Sequence, residues 1–258
     1  MIEDVTAVQV LTSLTLVVLA GALSAGLGHG LTRRLATAAV RAAVQLLAVG
    51  LLFGFIVEAD RSMALAWLWV TAMVVITSVI ARRRAPNLPG GGPIAAAAVG
   101  FTVAGCLAVI FGLGVLAYEP VNLIVVAGIT IGNSMPSQVL GSNRLTSEVR
   151  DNRGQVEALL ALGMSPSQVV KITGGRIVQT ALIPQIERTN VVGLIALPGA
   201  MTGLLLAGAD PVDAVLVQII VMYLVLGAVA TSVIVTVVAG LYRLFSPDRR
   251  LLPIPTGD

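Results

Sequence analysis

Charge is scarce in this chain. Only 11% of its 258 residues are Asp, Glu, Lys or Arg, against roughly 25% in soluble domains. A water-soluble fold of this composition would have too little polar surface to cover its apolar mass, which excludes that class. Aromatic residues are also few, at 4%, whereas Gly numbers 27, and small residues suit helices packed closely in lipid. A single cysteine, Cys106, lies inside an apolar run, so no disulfide forms within the chain. The single histidine, His29, sits at the end of an apolar run and reads as an interfacial residue, and there is no His–Cys cluster to hold a metal. No G-x-x-x-x-G-K-[ST] segment occurs, so the chain has no loop of that type to cradle ATP phosphates. The start, MIEDV, is acidic and leads straight into a span-length apolar run, so a cleaved signal peptide is not expected.

What the chain has is long apolar runs: 57% of it is hydrophobic, with a mean hydropathy of +0.96. A bilayer core takes about 20 apolar residues as a helix. Seven runs qualify: Val8–Gly28, Ala36–Val57, Met63–Ala81, Pro93–Leu113, Val121–Leu140, Val191–Leu206 and Val212–Leu241. They are continuous rather than alternating, which disfavours a β-barrel. The expected fold is an all-α integral membrane protein, a single transmembrane domain over residues 1–258.

The charges fall between the runs in a pattern. The first connection carries Arg33 and Arg34, the third Arg82–Arg84, the fifth Arg144, Arg150, Arg153, Lys171, Arg176 and Arg188, and the tail Arg243, Arg249 and Arg250. The even connections carry Glu58, Asp60, Glu119, Asp210 and Asp213, with Arg61 the one basic exception among 16. The positive-inside rule then predicts an external N-terminus, seven spans and a cytoplasmic C-terminus, a multi-pass protein of the cell (inner) membrane. The same placement accounts for a net charge of +3 and a pI near 9.6 without nucleic acid, because basic loops face anionic lipid.

The fifth connection, about residues 146–186, holds most of the water-exposed mass. Val156, Leu159 and Leu160 recur at helical spacing with Arg153 and Glu157 beside them, predicting an amphipathic helix over about 151–163. Gly163 is a natural stop. "SPSQ" then restarts a helix: Ser165 caps it, Pro166 fits its first turn and Gln168 completes a capping box. Pro184 is expected to end or kink this second helix. The first helix is either a surface helix or a docking element that seats in a groove on a soluble partner.

"EALLALGMSPSQ" resembles the Glu-Ala-Ala…Gly cytoplasmic motif of ABC-transporter permeases. Together, "GNSM" (Gly132–Met135), "NRL" (Asn143–Leu145), "EALLALG" (Glu157–Gly163), "LPGAMTG" (Leu197–Gly203) and "LAGADPVDAVLVQIIVMYL" (Leu206–Leu224) resemble the FetB-type permease family over about residues 36–245. That family includes bacterial permeases linked to iron export and plant relatives linked to aluminium tolerance. "PSQ" after Met135 and "PQIERTN" (Pro184–Asn190) depart from the family pattern. The resemblance implies a transporter's membrane subunit that is not itself an enzyme. It works as a pair of copies with a soluble ABC ATPase, so that ATP and magnesium belong to the partner and this chain carries no cofactor. It also implies that Val156, Glu157, Ala158, Leu159, Leu160 and Gly163 form the coupling helix that docks on the ATPase. The implied cargo is a metal ion, iron; the alternatives are another cargo such as an organic anion or nucleotide sugar, an importer, or a secondary carrier or scaffold.

Polar groups inside apolar runs mark either packing contacts or a path. Arg41 and Gln45 share one face of the second run; Arg41 either snorkels to the interface or pairs with an anionic substrate or Glu187. Asn133, Ser134, Met135 and Gln138 cluster around Pro136, Met201 and Thr202 follow Pro198-Gly199, and Gln218 shares a face with Met222. The thioethers of Met135, Met201 and Met222 with amide oxygens would suit a passing transition metal weakly.

Overall fold

The computed structural model describes residues 7–58, 63–246, 248 and 250–253. Met1–Val5 and the charged residues Asp60, Arg61 and Arg249 lie outside them. The described residues form helices α1 (Ala7–Gly26), α2 (Thr32–Glu58), α3 (Met63–Arg84), α4 (Gly91–Gly112), α5 (Pro120–Asp151), α6 (Arg153–Ala161), α7 (Pro166–Asn190), α8 (Gly199–Leu206) and α9 (Pro211–Arg243). Besides these there are two isolated β-bridges, Val192 with Ala196 and Phe245 with Leu251. The chain divides into two compact units, Met1–Arg61 with Gly203–Asp210, and Ser62–Thr202 with Pro211–Asp258.

The first unit holds the α1–α2 hairpin. Gly28 and Gly30 take φ of 70° and 65° in its turn. Ser24 closes the turn by accepting the Leu31 N–H at 3.1 Å, and Thr32 donates to the Gly21 carbonyl at 2.9 Å. Leu16, Val18, Leu46 and Leu51 remain exposed, as expected where lipid is the solvent.

The second unit is built on α5 and α9, with α3, α4 and α7 packed around them. The helices approach closely where side chains vanish. A Cβ on Gly240 of α9 would lie 2.8 Å from Leu145 Cδ1 of α5, and one on Gly141 of α5 would touch Val233, Val237 and Ala181 at 3.5–3.9 Å. Small residues at helix crossings permit such contact in membranes. At one end Trp67 Nε1 donates to Tyr118 Oη at 2.9 Å, a pairing suited to the membrane interface.

Six helices are long and apolar enough to cross a membrane: Val8–Gly26, Thr32–Leu51, Met63–Arg84, Gly91–Gly112, Pro120–Asp151 and Pro211–Arg243. The expected seventh, Val191–Leu206, is not a continuous helix. Its first part is a turn around Gly193 (φ 85°) and Pro198, and α8 has only eight residues, about 12 Å. Pro184 does not end α7, which runs 25 residues to Asn190. Packing against α5 and α9 holds the helix across the one missing hydrogen bond. α5 is also longer than its apolar stretch and carries residues 146–151 on the same helix.

Candidate functional site

Two regions of the second unit gather the polar and soft groups. The first is α6. The turn after it follows a Schellman pattern, with Gly163 N–H bonded to the Leu160 carbonyl (3.0 Å) and Met164 N–H to the Leu159 carbonyl (3.2 Å). Gly163, at φ 86°, supplies the left-handed residue this motif needs. Ser165 and Gln168 then form the capping box of α7: Gln168 N–H donates to Ser165 Oγ at 3.4 Å and Ser165 N–H to Gln168 Oε1 at 2.8 Å. The Arg153–Glu157 pair (2.8 Å) lies along the outer face of α6, and Arg176 of α7 reaches Gln155.

The apolar stripe of α6 faces inward. Val156 is 3% exposed and belongs to the chain's own core, and Leu159 and Leu160 pack against it. An amphipathic helix lays its apolar side on whatever core is nearest, and here that is the core it shares with α5 and α7. Glu157, Ala158, Ala161 and Gly163 are exposed, and Leu162 is 81% exposed. The accessible side of α6 is thus the one carrying Glu157, Ala158 and Leu162.

The second region is a pair of cavities beside the end of α7. One, of about 390 Å³, brings together Met201, Gln218 and Met222, with Thr189, Leu197, Pro198 and Tyr223 among its walls. Gln218 is 5% exposed and its Oε1 has no partner among the described residues. A buried amide oxygen left unbonded is costly, and it lines a cavity with two thioethers. The other, about 180 Å³ between α5 and α7, is walled by Gly132, Asn133, Pro136, Ser137, Leu140, Pro184, Gln185 and Arg188. Gln185 Nε2 donates to Thr189 Oγ1 at 3.4 Å, linking the walls of the two cavities.

The remaining candidates are dispersed. Ser134 is buried and bonds back to the Thr130 carbonyl at 2.7 Å. Gln138, 1% exposed, donates to the Ala95 carbonyl at 3.2 Å and ties α5 to α4. Thr202 bonds to the Pro198 carbonyl. Met135 is half-buried on α5 and does not line the cavity of Met201 and Met222. Arg41 and Gln45 stand exposed on α2 in the first unit. Among the described residues no group of three or more His, Cys, Asp or Glu is placed to hold a metal. Sequence reasoning missed Ser137, Gln185, Arg188 and Thr189. The signal was the i, i+3, i+4 spacing of Gln185, Arg188 and Thr189, obscured by expecting Pro184 to end or kink the helix.

The family model described as an uncharacterised protein family, UPF0014, matches residues 7–245. The chain belongs to the UPF0014 family. With its six span-length apolar helices, it is a multi-pass membrane protein. Family relatives include the UPF0014 membrane protein STAR2 of Oryza sativa subsp. japonica, 37% identical over 85% of this chain and 77% of that one. The protein ALUMINUM SENSITIVE 3 of Arabidopsis thaliana is 32% identical over 85% and 80% of the two chains. The probable iron export permease protein FetB of Escherichia coli is 31% identical over 83% and 82%. No solved structure matches the chain.

Proposed function

We propose that this chain is the membrane-spanning permease subunit of an ABC transporter that exports a metal ion, iron. A separate soluble ATPase supplies the energy, with ATP and magnesium in that partner, and a second copy of the chain completes the pathway. The observation that carries the reading is the accessible face of α6, where an apolar Leu162 stands 81% exposed beside Glu157 and Ala158 at the basic, water-facing end of α5 and α7. An exposed leucine at the C-cap of a short helix outside the apolar spans suits a protein partner. The cargo is supported by the name of the Escherichia coli relative and by the thioether cavity.

In this reading the basic ends of the helices face the cytoplasm and the N-terminus faces outside. α5 ends at the basic side and α9, which starts beside Asp210 and Asp213, ends there too, at Arg243. The chain between them crosses back. α8 alone, about 12 Å long, cannot span a core of about 30 Å. The crossing is therefore composite: α7, the turn Val191–Pro198, then α8. Broken backbone at membrane depth is tolerated where it lines a cavity, and Val192, Gly193, Leu197 and Pro198 line the thioether cavity.

The test is co-expression with candidate ATPase subunits. The expected result is vanadate-sensitive ATP hydrolysis only when both subunits are present, with a lower iron content in cells making the active pair. Failure of any ATPase to bind overturns the transporter reading. Unchanged iron with an active pair overturns the cargo.

A further inference from the structure

We infer that the α5–α7 cavity is an oxyanion-binding subsite on the translocation path, so that the cargo enters it carrying a carboxylate or phosphate group. The place on a path rests on the permease reading above; the binding does not.

Arg188 lines this cavity and makes no hydrogen bond or ion pair with the described residues. Its depth makes that notable. Gly132 and Asn133, on the opposite wall, lie 12 and 13 residues into α5 from Pro120, about 18–20 Å from that end. That end is near the interface, since Tyr118 pairs there with Trp67. A hydrocarbon core is about 30 Å thick, so in the permease reading Arg188, whose side chain is exposed to the cavity side, stands within the apolar layer. The segment after it is apolar and open, with Leu194 and Ile195 88% and 83% exposed, as side chains facing lipid are. A cation held at such depth faces a water-filled cavity or an anion.

The rest of the wall fits the same chemistry. Ser137 offers a hydroxyl, and Asn133 and Gln185 each use one amide N–H elsewhere (to the Ile129 carbonyl and Thr189 Oγ1) and keep a second. No carboxylate lines the cavity; Glu187 adjoins Arg188 in sequence, but neighbours on a helix do not share a face. A bare cation would meet an uncompensated guanidinium there, whereas an oxyanion gains charge-assisted bonds to it. The volume of about 180 Å³ equals about six waters at roughly 30 Å³ each, room for one oxyanion group and part of its scaffold. The Gln185–Thr189 bond puts this subsite next to the thioether cavity. A metal carried in an anionic complex would therefore use both.

The experiment is equilibrium binding to the full chain in neutral-lipid nanodiscs, with iron-free citrate, inorganic phosphate and ferrous iron alone as separate probes. The expected result is that citrate or phosphate binds, the arm that binds naming the group. Arg188→Gln is expected to weaken binding about ten- to a hundredfold, Arg188→Lys less, and Ser137→Ala about three- to tenfold. Matching thermal unfolding and elution show that the variants are folded. The inference is overturned if neither anion binds the wild-type chain, or if folded Arg188→Gln binds it as tightly. Because no ATPase is needed, the two readings fail separately: failure of every co-expressed ATPase to bind overturns the transporter reading and leaves an anion-binding subsite standing.

Discussion

Replacing Leu162 by Ala separates the two sides of α6. Leu162 is 81% exposed and Val156 is 3% exposed. Leu→Ala removes three carbons, worth about 0.8 kcal/mol each when buried. With about four-fifths of the side chain available to a partner, docking loses about 2 kcal/mol, a twenty- to thirtyfold weaker Kd for the ATPase. Val156→Ala instead opens space in the chain's own core and costs about 1–2 kcal/mol of fold stability, with partner affinity unchanged in the folded fraction. The assay titrates the ATPase subunit against nanodisc-held chain and follows thermal unfolding of each variant in parallel. The reasoning is refuted if Leu162→Ala binds the ATPase as tightly as wild type, or if Val156→Ala alone loses binding while its unfolding temperature holds.

Gly240→Val drives a side chain into Leu145, 2.8 Å from the Cβ position and itself fully buried. A loss of about 1–3 kcal/mol is expected, seen as a lower unfolding temperature in detergent; an unchanged one would mean α5 and α9 are not so closely apposed. Gln218→Leu removes an unpartnered buried oxygen, so stability should hold or rise while iron export falls; undiminished export with a stable fold would assign Gln218 to packing alone. Ser165→Ala breaks the capping box and should cost about 1 kcal/mol, with faster amide exchange at Gln168 and Val169; protection equal to wild type would show that the cap is dispensable.

Much of this architecture was legible because lipid makes composition a strong constraint. The six span-length helices fall on apolar runs read directly from the sequence. The Gly163 turn and the Ser165–Gln168 cap are local, set by a backbone conformation only glycine takes easily and by two side chains three residues apart. The errors came where distant packing decides. Pro184 is a local helix-breaker, yet α7 continues through it because α5 and α9 are packed alongside. Val191–Leu206 is apolar enough for a span, but Gly193 and Pro198 break it into a turn and a short helix. Met135 and Met222 are both thioethers near polar side chains, and only the helix arrangement shows that Met222 shares a cavity with Met201 and that Met135 does not.

The sequence by itself determined the membrane class, most of the helices and the turn and cap at Gly163 and Ser165. Hydropathy acts along consecutive residues, and so do capping hydrogen bonds. Only the tertiary structure decided which face of α6 is free and that Arg188 lines one cavity with Asn133 and Ser137, between two helices that continue through their prolines. Those outcomes depend on residues some fifty positions apart meeting across packed helices, and neither periodicity nor composition carries the distance between them.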